Sequence, residues 1–240
     1  MTLIFHSVAV SDVGLVRTNN EDSAHAGRWL VAVADGIGGA PAGELASDLA
    51  IQALLALDHP AEGLDPLVPL CTAVENGNGM IRQMAGADRS NEGMGTTVTA
   101  LLLWGDQLAL VHAGDSRCYL SRAGTFSQVT RDDTFVQGLV DNGVLSPDEV
   151  RRHPQRSLVT KAVQGEDLVP TAMLLTAAPG DRFLLCSDGL SDVVPDETLA
   201  DMLRSYPQLD ACAEGLVKLA LQGGGPDNIT VVLADVVAAA

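Results

Sequence analysis

The sequence predicts an α+β domain in which antiparallel strands stack as a double sheet and helices cover it. Three observations carry this. Short apolar runs bounded by turn residues are interspersed with longer stretches of helical period, and those long stretches come in pairs. Turn signals join neighbouring strands directly, which antiparallel pairing allows. At 240 residues, 47% of them apolar, the chain can bury a sizeable core. Aromatics are only 3%, so that core is built from Leu, Val, Ala and Ile.

The elements follow in order. Residues 5–10 read as a first strand, with Val8 and Val10 on one face. Arg17-Thr-Asn-Asn-Glu-Asp22 is dense in polar groups. It is either a solvated loop or an Arg that grips phosphate beside acids that order metal-bound waters. Residues 29–34 are too short for a typical helix and read as a buried strand ending at Asp35. Glycines at 36, 38 and 39 then allow close backbone approach to a ligand. Residues 40–57 carry helical spacing, with Leu45, Leu49, Ala53 and Leu57 on one stripe and Pro41 early in the helix. Asp58-His-Pro60 ends it, with His59 exposed. Residues 66–84 read as a second helix that Gly77 and Gly79 weaken, and residues 86–95 as a loop.

Residues 95–104 form a strand, Gly105-Asp106 a hairpin turn, and residues 107–113 the partner strand. Residues 117–122 and 125–130 flank a turn at Ala123-Gly124, so this stretch reads as a β-meander. The chain changes character at Asp132. A short helix at 135–140 stops at Asn142-Gly143, and Ser146-Pro-Asp-Glu149 caps another. Arg151-Arg-His-Pro-Gln-Arg156 either faces an anionic substrate or is a solvated helix end. Strands near 171–175 and 183–186, helices at 195–205 and 209–221, and a strand from 229 to 234 complete the chain. No internal repeat or linker divides it. One domain over 1–240 is expected, with a flap inserted at about 132–170.

The formal net charge is -17, from 14 Lys+Arg against 31 Asp+Glu. This argues against a nucleic-acid footprint and against an anionic membrane surface. Cys71, Cys118, Cys186 and Cys212 are scattered, without metal or disulfide spacing. No signal peptide or membrane-length apolar run is present, so a cytoplasmic protein is expected.

Four aspartates repeat one pattern. Asp35, Asp115 and Asp188 each follow an apolar run, and Asp227 precedes one. In an antiparallel sheet the end of one strand and the start of its neighbour share an edge, so four carboxylates could meet at one rim. Ionised together they would repel, and a divalent cation removes that penalty. All-oxygen ligands favour Mg²⁺ or Mn²⁺ over Zn²⁺.

These motifs together resemble the PP2C class of metal-dependent serine/threonine phosphatases. The matches are Arg17-x-x-Asn-Glu-Asp22, Asp35-Gly-x-Gly-Gly39, Gly95-Thr-Thr97, Gly114-Asp-Ser-Arg117, Ser187-Asp-Gly-Leu-Ser-Asp192 and Asp227-Asn228. They run in the family's order over most of the chain. Asp132-Asp-Thr-Phe-Val-Gln137 and His153-Pro-Gln-Arg-Ser157 look like the bacterial branch, particularly the actinobacterial type partnered with transmembrane Ser/Thr kinases. The resemblance implies a central antiparallel β-sandwich flanked by helix pairs and a centre of two Mn²⁺ or Mg²⁺ ions. Asp35 would bridge the ions, Asp188 and Asp227 would complete one ion's protein ligands, and the Gly36 carbonyl would serve the other. A third ion would take Asp115, with Asp188 shared and Ser157 contributing weakly. Glu21, Asp22 and Asn228 would support this ligand set, and Arg17 would seat the phosphate.

A hydroxide held between two metals would then attack phosphorus in line, in phosphoserine or phosphothreonine proteins. Ser/Thr kinases and their substrates are the implied partners, and a monomer is expected. Eukaryotic relatives carry a histidine after Asp-Gly as a proposed general acid; here the residue is Ile37. The leaving alkoxide's proton must come from elsewhere, and a water on the third ion is the expected source. Two other readings stay open. One is a phosphatase-like scaffold or sensor without turnover; the other is a phosphomonoesterase acting on small molecules.

Overall fold

The computed structural model describes residues 2–37, 42–60, 65–105, 107–151 and 153–239. Gly38, Gly39, Pro41, Asp106 and Arg152, each given a place in the sequence reading, lie outside them. Two antiparallel sheets stack face to face. The first runs β1 (Leu3–Asp12), β11 (Ile229–Ala238), β10 (Arg182–Cys186), β7 (Arg117–Arg122), β8 (Thr125–Gln128). The second runs β2 (Asp22–Ala26), β3 (Leu30–Ile37), β5 (Val98–Trp104), β6 (Gln107–Ala113), β9 (Thr171–Thr176). A two-residue strand, β4 (Gly95–Thr96), pairs with the end of β3.

Strand alternation fills three apolar layers. Val31 and Val33 of β3, Leu101 and Leu103 of β5, Phe183 and Leu185 of β10, and Val232 and Ala234 of β11 point between the sheets. Their neighbours Leu30, Ala32, Ala100 and Leu102 point outward under α1 (Ala42–Leu55) and α2 (Leu67–Ala87). On the other side Leu184, Cys186, Val231 and Leu233 pack under α6 (Asp196–Ser205) and α7 (Leu209–Gln222). Burying each such Leu or Val contributes about 1.5–3 kcal/mol relative to exposure. The expected helix–sheet–sheet–helix order is therefore present.

Four details differ from the sequence expectation. The meander is broken: β6 and β7 belong to different sheets, and Gly114, at φ 114°, turns the chain from one to the other. Leu45, Leu49, Ala53 and Leu57 of the first helix are only half-buried; its core stripe is Ala46, Ala50, Ile51 and Leu54. Small residues there let α2 approach closely. A Cβ at Gly77 would lie 3.3 Å from the Ala53 Cβ, so this glycine serves packing rather than merely weakening the helix. The strand β2 went unread because Asp22-Ser-Ala-His-Ala lacks an apolar run; it is an edge strand of half-buried residues.

The stretch between β8 and β9 carries two short helices, α3 (Phe135–Asp141) and α4 (Pro147–Val150). Thr134 caps α3 by accepting from the Gln137 N–H. The Ser146 N–H and hydroxyl both donate to Glu149. The remaining helix, α5 (Asp188–Ser191), begins directly after β10. Among the described residues no helix is long and apolar enough to cross a membrane.

Candidate metal centre

The site is where the inter-sheet core changes chemistry. The inward row of β3 runs Val31, Val33, Asp35, and its partner row on β2 ends at Asp22. The inward row of β11 runs Val236, Ala234, Val232, Thr230, with Asn228 just before the strand. Those of β10 and β5 end at Ser187 and at Thr99 and Thr97. Period-two alternation thus puts apolar groups in the middle of the sandwich and hydroxyls, amides and carboxylates at one pole. These polar groups are tied together. Thr97 donates its backbone N–H to the Asp35 carbonyl at 2.9 Å, and its Oγ1 accepts the Asp35 N–H at 2.9 Å. The Thr230 N–H donates to Ser187 Oγ at 2.9 Å, and Ser187 Oγ in turn donates to Asp22 Oδ2 at 2.7 Å.

A cavity of about 190 Å³ opens at this pole, lined by Arg17, Glu21, Asp35, Gly36, Ile37, Thr97, Asp115, Ser157, Val159, Asp188 and Asp227. Of the ten expected site residues, eight therefore face one basin. The other two, Asp22 and Asn228, stand behind it. Asp35 comes from β3, Asp115 from the crossover after β6, Asp188 from the start of α5 and Asp227 from the loop before β11. Gly36 is needed for close approach: a Cβ there would lie 2.3 Å from the Gly43 carbonyl oxygen. Ser157 and Val159 reach the basin from the flap.

The carboxylates are in conflict. Burial, and then the charges of Asp22, Asp188, Asp115 and Asp227, hold the Asp35 carboxyl well above the usual range. Burial, followed by Asp115, Asp192, Asp227 and Asp22, does the same to Asp188. Burial pushes Asp22 up to about 6 and Asp115 up to about 7, the latter helped by Asp132 and Asp192. Asp22 Oδ1 is buried without a hydrogen-bond partner. Among the described residues no three acidic, His or Cys side chains already close on one point as an ion cage would. The aspartates instead stand around the cavity as its walls. An all-oxygen donor set, mutually repelling and largely desolvated, fits hard divalent cations and suits neither a soft metal nor an organic anion.

The supporting residues are specific in their contacts. Arg17 Nη2 donates to Asp227 Oδ2 at 2.7 Å, at the rim. Asn228 spends its whole amide on backbone: Oδ1 accepts from the Glu21 N–H at 2.9 Å, and Nδ2 donates to the Val13 carbonyl at 3.0 Å and the Asn19 carbonyl at 2.8 Å. It pins the Arg17 loop to the start of β11. Two parts of the site were missed from sequence. Asp192 lines a side cavity with Asp115 and Asp188; its place four residues after Asp188 was the available signal. Thr97 falls in the Gly95-Thr-Thr97 match and in a strand, but the sequence reading gives it no role in the site. The basic stretch faces inward in part: Arg156 pairs with Asp192 at 3.3 Å, and Arg151 donates to the Ser191, Asp192 and Val194 carbonyls.

An α–β–β–α sandwich with a carboxylate basin at one pole defines a class of metal-dependent phosphatases, and residues 16–222 match the family described as protein phosphatase 2C. The chain belongs to this family. It is 53% identical over 237 residues to the serine/threonine protein phosphatase PstP of Mycobacterium tuberculosis, covering 99% of this chain but 46% of that protein. The chain thus spans slightly under half the length of that relative. It is 34% identical to the protein phosphatase PhpP of Streptococcus pneumoniae, covering 93% of this chain and 94% of PhpP. The crystal structure of the PstP catalytic domain in complex with two manganese ions superposes with a TM-score of 0.93 at 51% identity, covering 99% of this chain and all of that one.

Proposed function

We propose that this chain is a divalent-metal-dependent protein serine/threonine phosphatase, a single catalytic domain that removes phosphate from phosphoserine and phosphothreonine proteins. The observation that carries the reading is the convergence of Asp35, Asp115, Asp188 and Asp227 on one basin with Arg17 at its rim. The names of PstP and PhpP and the two manganese ions of the PstP structure support it.

When bound, two Mn²⁺ or Mg²⁺ ions would neutralise these carboxylates and activate a water at neutral pH. Asp35 would be shared by both ions, with Asp188 and Asp227 on one and the Gly36 carbonyl on the other. Asp115 and Asp188, with Ser157 nearby, would hold a third. Glu21 and Asp22 would position coordinated waters, while Asn228 keeps the loop that carries Arg17 and Glu21 in place. The planar fork of Arg17 would hold the phosphate oxygens and align phosphorus for in-line attack. Ile37 has no proton to give, so the leaving oxygen takes its proton from the Asp115 side of the basin.

Ser/Thr kinases and their targets are the partners this reading implies, and the net charge of -17 is against nucleic acid and anionic membranes. Because one chain supplies every wall of the basin, we take it to act as a monomer. Its four cysteines are all free, in keeping with a reducing, cytoplasmic setting. The test is phosphate release from a phosphothreonine peptide with Mn²⁺ and with EDTA, by the wild type and Asp35→Asn. Release by the wild type alone, lost in EDTA, supports the proposal. A protein that binds the peptide without turnover would be a scaffold. Turnover only of nucleotides or sugar phosphates would make it a small-molecule enzyme.

A further inference from the structure

The flap leaves the body next to Asp115 and returns next to Ser157 and Val159, and one acidic residue sits where both passages meet. Asp133 is almost fully buried. Its N–H donates to the Gly114 carbonyl at 2.7 Å, and its Oδ2 accepts from the Gly114 N–H at 3.3 Å. It therefore grips both backbone groups of the residue that turns Asp115 into the basin. Its own carbonyl accepts from the Thr160 N–H at 2.8 Å and from Thr160 Oγ1 at 3.0 Å. Lys161 Nζ lies 3.4 Å from Asp133 Oδ1.

The surroundings reinforce this junction. His112, fully buried on β6, has Nε2 3.0 Å from the Arg131 carbonyl and Nδ1 2.9 Å from Thr99 Oγ1. A carbonyl only accepts, so Nε2 carries the proton and donates. The ring thereby fixes the outgoing end of the flap to the sheet. Three residues beyond Thr160, Val163 exchanges both backbone bonds with Thr96, at 2.8 and 2.9 Å. The returning segment is thus tied at Thr160 and again at Val163. Ser157 and Val159, which line the basin, lie immediately before those ties.

We propose that Asp133, paired with Lys161, is a positioning residue that couples the flap to the catalytic basin: it sets the Gly114–Asp115 turn and the Ser157–Val159 wall relative to one another. The inference rests on the phosphatase reading above. It assigns to the pair a role in holding a protein substrate, because Ser157 and Val159 wall the basin from the flap side, where the part of a substrate beyond the phosphoryl group would lie. A small aryl phosphate needs that wall less. A 1 Å displacement at such a wall is enough to cost about two orders of magnitude in rate, and a loosened salt link costs less.

The test compares Lys161→Met, Lys161→Arg and Asp133→Asn with the wild type, in Mn²⁺. Lys161 is one-third exposed, so its replacement leaves the fold intact, whereas Asp133→Asn alters a nearly buried group. Two substrates are used, a phosphothreonine peptide and p-nitrophenyl phosphate, alongside amide hydrogen exchange of the metal-free protein. We expect Lys161→Met to raise KM for the peptide about tenfold, with kcat and the aryl phosphate values changed by less than about twofold. Exchange at residues 157–163 should quicken while α6 and α7 stay protected, and Lys161→Arg should restore both readouts. Unchanged exchange at 157–163, equal losses on the two substrates, or no rescue by Arg would overturn the inference. Wild-type protein inactive on both substrates would instead overturn the phosphatase reading, and the exchange data would still decide the clamp.

Discussion

Asp22 and Asp35 stand directly opposite each other across the β2–β3 ladder. Like charges paired in this way destabilise a sheet. The pair sits on the inward row, where burial adds to the repulsion. The protein accepts this cost at the position where its proposed ions bind.

Removing one charge should therefore separate stability from activity. Asp35→Asn is expected to melt at a higher temperature than the wild type in EDTA, while losing at least about 10²–10³-fold in phosphate release with Mn²⁺. Thermal unfolding in EDTA beside an activity assay checks both. A lower melting temperature in EDTA would show that the carboxylate is not in conflict.

The same conflict has a sign in pH. Asp22 and Asp115 have folded-state values of about 6 and about 7, both above the unfolded carboxylate range. The unfolded chain then loses these protons first as pH rises. The contribution of these two groups to metal-free stability should be greatest below the unfolded value near 4, and be lost as pH climbs through about 6 and about 7. Urea titrations in EDTA at pH 5 and pH 8 measure this. Saturating Mn²⁺ should remove most of the decline, because cation binding favours the ionised carboxylates.

Asn228 offers a second separation. Replacing it by Ala leaves the buried Glu21 N–H and the partly exposed Val13 and Asn19 carbonyls without their partner, at a cost of about 1–3 kcal/mol. The Arg17 loop should loosen, so the KM for a phosphopeptide should rise along with the loss in stability. Urea unfolding and steady-state kinetics read the two effects.

The proposed ligand aspartates were legible because each adjoins an apolar strand, a pattern that needs no tertiary information. The fate of the strands next to them was not. Nothing in residues 107–122 distinguishes a hairpin continuing in one sheet from a chain that crosses to the other, since that depends on the positive φ at Gly114. The contacts of Asp133 were also invisible, because Gly114, Thr160 and Lys161 become its neighbours only when the flap folds back. Asp22-Ser-Ala-His-Ala is a strand through pairing with β3 rather than through its own composition.

Two of the three glycines of α2 make a clean contrast. A Cβ at Gly79 meets nothing within 4 Å, whereas one at Gly77 meets Ala53 at 3.3 Å. Gly79→Ala should stabilise the protein by about 0.5–1 kcal/mol through helix propensity alone. Gly77→Ala should gain less or lose stability, since α1 must shift to admit it. Chemical denaturation of the two variants gives the answer directly.

Asp115→Ala tests the source of the leaving-group proton. An alkoxide needs that proton and a nitrophenolate scarcely does, so the variant should slow a phosphoserine peptide at least about 10-fold more than p-nitrophenyl phosphate. Equal losses would move the proton source away from Asp115.

The first and last strands pair along their whole length, from Leu3 beside Ala238 to Asp12 beside Ile229. The Asp12 and Ile229 end lies at the basin, so Leu3 and Ala238 lie at the far pole. Joining the two termini by a short linker and reopening the chain in an exposed turn such as Ala123-Gly124 should leave the sandwich intact. Cargo fused to either terminus would hang well clear of incoming phosphoproteins, which makes both ends suitable for tethering the domain to a surface or a reporter.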